Sequence, residues 1–366
     1  MSSIGSSRSP TPSKTSKQSS VEDSVSDDFR FDILEPNNIY LAEDILERER
    51  WSDLAFSLGL PAREGQRFNS ATQKLAQRMK KRKMYSAQQT GDYIRPFIRS
   101  LVATCPKLSE QDRCTYHHDA VPTSDALKNT VHRLPTPKPA ISVGYHRAAF
   151  SLSHDELQNG IIAGPTGDPC DLNHVSQPVS DHFWPFFVVE VSEQSVTAAR
   201  QSSAISGATC NHALNLLAGA AADDQKDWNS TSFVFDKKFA KSFSLSVHSK
   251  VAILSVHGTE GSTAHISQQI SSYRLDDEYE VASLADRIHG IMVWAQYSRL
   301  GEVVAALDQL NRKVYGNASG FTLGGSPIDD DFDPACLKTL NFQPFRRPER
   351  MKAALRAGLP SWLGRS

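Results

Sequence analysis

A ten-residue stretch, Phe183-Trp184-Pro185-Phe186-Phe187-Val188-Val189-Glu190-Val191-Ser192, limits what this chain can fold into more than any other. It is apolar, rich in aromatic and β-branched side chains, broken only by an early proline and too short for an ordinary helix. That pattern predicts a strand buried on both faces. The run closes on a carboxylate, Glu190, whose burial is costly unless it is paired, hydrogen-bonded or metal-bound; a strand-end glutamate reaching solvent is the plain alternative.

The flanks predict what packs on this strand. Upstream, Lys138-Pro139-Ala140-Ile141-Ser142-Val143-Gly144-Tyr145 reads as a shorter strand. Downstream, Ser195 to about Ala221 reads as a long helix. Its small residues, Ala198, Ala199, Ser203, Ala204, Gly207, Ala208 and Ala213, permit close approach to a sheet. The expected fold class is α/β, a mixed central sheet with packed helices.

The segments Pro137 to Gly144 and Pro185 to Glu190 resemble the core of a fungal domain family of unknown function with a PD-(D/E)XK nuclease-like motif. The likeness covers about Pro137 to Val314 and implies a restriction-endonuclease-like core. The family pattern has an aspartate after the first proline and Glu-x-Lys at the end of the second segment. Here Ala140 replaces the aspartate and Ser192 the lysine, leaving Glu190; Gln201 fits a polar position in the following helix. Phosphodiester hydrolysis by such a core uses carboxylates to hold a hard divalent cation and a lysine to steady developing charge. Alanine offers no ligand oxygen and serine no charge, so the resemblance implies a fold that has lost its catalysis.

The expected function is therefore a non-catalytic, nuclease-like binding or interaction protein of a fungus, without a cofactor, whose partner is nucleic acid or another protein. The first alternative is a nuclease using magnesium or manganese with relocated ligands. Glu190 would then pair with an aspartate of the long Phe150–Asp181 insertion, Asp168, Asp171 or Asp181, with Arg200 or Gln201 near the phosphate. A further alternative is an accessory role in a fungal specialised-metabolite pathway.

Outside this core, residues 1–28 are dominated by Ser, Thr, Pro and Lys and then acids, the composition of a disordered tail. Residues 29–124 read as a helical region, with Ile39, Leu41, Ile45, Leu46, Trp51, Leu54, Ala55 and Leu58 spaced as amphipathic helices and further helices at Ser70–Met84 and Thr90–Thr104. The first of these further helices carries Lys74 and Arg78 and runs into Lys80, Lys81, Arg82 and Lys83. Such a run reads as a nuclear-import or nucleic-acid patch, or as a solvated helix face. Cys114-Thr115-Tyr116-His117-His118-Asp119 hints at zinc, but four ligands are needed and only Cys105 lies near, so it reads as a polar loop. Residues 125–136 read as a linker and 137–314 as the α/β domain.

Within that domain Ser232-Phe233-Val234-Phe235, Phe243–Val247 and Val251–Val256 read as further strands, the last two joined by a hairpin turn. Helical stripes follow, Val281, Leu284, Ile288, Ile291 and Ala295, then Leu300, Val303, Leu307 and Leu310. Residues 315–366 read as a flexible tail with acidic and basic blocks. A net charge of −1 gives no overall basic field for nucleic acid, so any such surface is local. Five scattered cysteines and the lack of a membrane-length apolar run point to a reducing interior, nucleus or cytoplasm, with no membrane association. Nucleophile-elbow, phosphate-loop and dinucleotide fingerprints are absent from the sequence.

Overall fold

The computed structural model describes residues 28–42, 52, 55, 69–81, 86–163, 169–221, 242–260 and 263–316. The Ser232–Phe235 strand candidate, the two tails beyond residues 28 and 316 and most of 43–68 lie outside the described residues. The main sheet comprises β1 (Ile39–Ala42), β2 (Leu108–Asp112), β3 (Ile141–Tyr145), β6 (Phe183–Val191), β7 (Ser242–His248), β8 (Val251–Glu260) and β9 (Ala264–Arg274). β4 (Ile161–Ala163) and β5 (Pro169–Asp171) pair separately. The spatial order is β1-β9-β8-β7-β6-β3-β2, parallel at β1/β9 and β6/β7 and antiparallel elsewhere. The helices are α1 (Ser70–Lys81), α2 (Ala87–Val102), α3 (Leu152–Gln158), α4 (Leu172–Ser176), α5 (Val196–Ala221), α6 (Glu278–Trp294) and α7 (Leu300–Gly316). A π-helical turn, Ala295–Arg299, joins α6 to α7. The expected mixed α/β class is the one observed.

The two sides of the sheet differ in chemistry. Phe187, Val189, Phe243, Leu245, Val247 and Leu254 belong to the main apolar core, where the α6 stripe of Val281, Leu284, Ala285, Ile288 and Ile291 is also fully buried. Trp294 ends that stripe with edge-on contacts to Phe186 and Phe243. The alternate residues of β7, Ser242, Ser244 and Ser246, face α5 instead. α5 can lie low over this side because its contact residues are small: a Cβ on Gly207 would stand 2.3 Å from the His257 ring. In the sequence these buried serines are indistinguishable from the solvent-facing half of an ordinary strand.

β6 carries an irregularity that the helix joint repairs. Between the Val143–Phe187 and Tyr145–Phe183 pairs the register shifts, and Trp184 takes a left-handed φ of 46°. The Trp184 and Pro185 carbonyls accept from the guanidinium of Arg299 at 3.0 and 3.3 Å. Arg299 also donates to the Tyr145 hydroxyl at 3.2 Å and lies over the Tyr145 and Phe186 rings. The Tyr145 hydroxyl donates in turn to the Ala295 carbonyl at 2.8 Å, and the Trp184 indole donates to the Gln158 side chain. Arg299 is 1% exposed, a cation buried among carbonyls and aromatic faces.

Four segments differ from expectation. Ile39 and Leu41, placed by their spacing on a helix, are on strand β1 with Ile39 opposite His265; an alternation over four residues is too short to separate the two periods. Leu108–Asp112, also within the stretch read as helical, is the strand β2 at the opposite edge. The long Phe150–Asp181 insertion is not without structure of its own: it holds α3, the paired β4 and β5, and α4. β9 has no counterpart in the sequence reading, because its buried residues include His265 and Ser267.

Two substitutions probe these packings. Arg299→Met leaves the Trp184 and Pro185 carbonyls without their donor and is expected to destabilise the fold by about 3 kcal/mol in urea unfolding. Gly207→Ala forces a methyl into the His257 ring and is expected to cost about 1–3 kcal/mol in the same measurement.

Candidate functional site

Glu190 is the last buried residue of β6 and projects from the side of the sheet that α5 covers. Its Oε1 accepts from the Ser206 hydroxyl at 2.6 Å. Across the parallel pair it stands opposite Ser246, whose hydroxyl is hydrogen-bonded to Ser203 at 2.8 Å. The carboxylate is thus held by the Ser206 hydroxyl of α5 instead of reaching water. Burial pushes its pKa up from 4.5 to about 7, with the Ser206 bond opposing the rise.

Polar contacts continue on both sides of this point. Along α5, Ser242 donates to the Asn211 side chain at 2.9 Å, and His257 Nε2 lies 2.8 Å from the Ser244 hydroxyl. Desolvation lowers the pKa of His257 to about 3, so the ring is neutral at ordinary pH. Towards β2, the Tyr116 hydroxyl meets Ser142 at 2.7 Å, Ser142 meets His182 Nε2 at 2.9 Å, and His182 Nδ1 meets Ser109 at 2.9 Å. Cys114, Tyr116, Cys210 and Val188 form a small buried cluster next to this chain. Burial raises both thiols to about 12, which makes them unreactive packing groups. The Cys114–Asp119 stretch therefore is no simple polar loop: its Cys and Tyr are core residues, while Thr115, His118 and Asp119 are exposed and His117 is half-buried.

The other predicted site residues are dispersed. Ala140 stands just before β3, its amide donating to the Val189 carbonyl at 2.9 Å and its own carbonyl accepting from the Arg113 amide at 3.0 Å. Ser192 takes the turn after β6, its hydroxyl accepting from the Gln194 amide at 3.1 Å. Gln201 is buried on α5. Arg200 points to the far edge, donating to the Ala42 carbonyl at 3.4 Å, with its pKa lowered by burial and by the nearby Arg30. Asp181 is exposed and precedes β6, whereas Glu190 ends it, so the strand holds them more than about 20 Å apart. As a partner for Glu190 it is excluded by that length. Asp171 lies on β5 with its side chain outside the described residues, and Asp168 is itself outside them.

Sequence reasoning missed the charged groups that do gather near Ala140. The Ala140 methyl lies 3.8 Å from the Cβ that a side chain at Gly91 would carry, which sets α2 against this end of the sheet. There Asp92 pairs with Arg113 at 2.5 Å and Arg95 pairs with Asp112 at 2.9 Å. These residues come from two elements separated in the chain, and no spacing rule links them. Of the basic run, Lys80 and Lys81 are exposed on α1 beside exposed Lys74 and Arg78, while Arg82 and Lys83 lie outside the described residues.

A pH test isolates Glu190. Unfolded, it ionises near 4.5; folded, near 7. In that interval the folded state holds an extra proton, so stability falls as pH rises, by on the order of 3 kcal/mol in all. Glu190→Gln keeps an acceptor for Ser206 and removes the ionisation. It is expected to match the parent near pH 5 and to exceed its urea midpoint at pH 8.

Among the described residues no helix is long and apolar enough to cross a membrane. No curated protein matches this chain, and no solved structure does. A family model does match, over residues 69–307, from just before α1 into α7: the chain belongs to the family described as Domain of unknown function (DUF7924).

Proposed function

We propose that this chain is a nuclease-like binding protein that works without metal-dependent hydrolysis, as the resemblance to a degenerate fungal PD-(D/E)XK core suggests. The observation that supports this reading best is the state of Glu190. It is enclosed under α5 and hydrogen-bonded by Ser206, and Ala140, just before the paired strand β3, offers no ligand oxygen for the second carboxylate that a hydrolytic site needs. A hard divalent cation keeps most of its waters and asks for two or more oxygen ligands with access to solvent. A single carboxylate spent on a helix hydroxyl meets neither need.

Binding falls instead to the surface. The exposed Lys74, Arg78, Lys80 and Lys81 of α1 give a local cationic face on a chain whose net charge is −1. Such a face reads nucleic-acid phosphates without sequence preference, with an affinity that falls steeply with salt.

Purified protein and Glu190→Gln are expected to leave single- and double-stranded DNA and RNA uncut in magnesium or manganese. The parent is expected to bind them in a salt-sensitive way that Lys80→Ala/Lys81→Ala weakens. Metal-dependent cleavage lost in Glu190→Gln would replace this reading with that of an active nuclease. Absence of both cleavage and binding would move the partner from nucleic acid to protein.

A further inference from the structure

We infer that His117, His118 and Asp119 form a binding site for zinc, independent of the function proposed above. The three side chains can bring one ligand atom each to within 4.8 Å of one another. Asp119 stands at the centre: Oδ2 is 3.6 Å from His117 Nδ1, and Oδ1 is 3.2 Å from His118 Nε2. Tetrahedral zinc, with bonds of about 2.0–2.1 Å to nitrogen and oxygen, spaces its ligand atoms about 3.3 Å apart. The two distances from Asp119 to the histidines already lie near that value.

The chemistry of the donor set points the same way. His117 Nδ1 accepts the Asp119 amide hydrogen bond at 3.3 Å, a contact that zinc at this nitrogen replaces. Two imidazoles with one carboxylate are borderline ligands, suited to zinc more than to magnesium or calcium.

The scaffold around the site is built from two packed segments. The His117 amide donates to the Pro178 carbonyl at 2.8 Å, fixing the loop after β2 against the segment after α4. His174 of α4 stacks on the His117 ring at 3.7 Å and 10°, setting its orientation as a positioning residue. The buried Cys114 packs against Tyr116, Val188 and Cys210 and so belongs to a different set of contacts. His118 and Asp119 are exposed, and three protein ligands leave a fourth position open to water or to a group from a bound molecule.

The test is zinc titration of the full-length protein by calorimetry, with cobalt absorption as a probe of coordination geometry. One saturable equivalent of zinc and tetrahedral cobalt bands are expected. His118→Ala and Asp119→Asn are each expected to weaken zinc binding by at least about tenfold, whereas His146→Ala, at an exposed histidine outside the cluster, leaves it unchanged. Absence of saturable uptake, or equal affinity in the parent and both cluster variants, would overturn the assignment. Because His118 and Asp119 are exposed, matched thermal unfolding of the metal-free proteins separates lost ligation from lost fold.

Discussion

The guanidinium of Arg299 is the contact on which the other packings rely. A strand buried on both faces tolerates few free carbonyls, yet the β6 irregularity at Trp184 and Pro185 turns two of them out of the ladder. A left-handed φ at a residue as large as Trp184 costs of order 1–3 kcal/mol and persists only where the surroundings enforce it. Arg299 supplies both missing donors from a π-helical turn, the local widening that lets a long side chain leave the α6–α7 axis at that point. The cation has no need of a surface position, because carbonyl dipoles and the faces of Tyr145 and Phe186 surround it. One side chain thereby joins the last helices to the strand that carries Glu190.

On the other side of the sheet, specificity comes from hydroxyls. An apolar interface lets a helix slide with little penalty, whereas paired Ser203–Ser246, Ser206–Glu190 and Ser242–Asn211 contacts are lost together if α5 shifts by a turn. Gly207 under His257 adds a steric lock to the same register. The buried carboxylate is one tooth of this fit.

What could be read beforehand follows from which forces leave a periodic trace. β6, α5, β7, β8 and the stripes of α6 and α7 were legible because apolar side chains recur along them at strand or helix spacing. β9 and β1 were not: His265 and Ser267 are buried by neighbours that the chain order does not announce, and Ile39 and Leu41 fit either period. Glu190 was legible as a carboxylate needing a partner. Ser206 as that partner was not, since a serine within a small-residue helix stripe looks the same whether it packs or bonds. The side chains around His117 and His174 come from segments far apart in sequence, and only the fold brings their rings into contact.

The parallel pairing of β1 with β9 also has a consequence for the order of assembly. During synthesis Ile39 leaves the ribosome long before its partner His265 has been made, so the edge of the sheet cannot close until most of the domain has emerged. Until then β1 has an apolar side and no ladder, and it is a natural segment for a chaperone to hold. Among the described residues, the last strand to be translated is the one that captures the first.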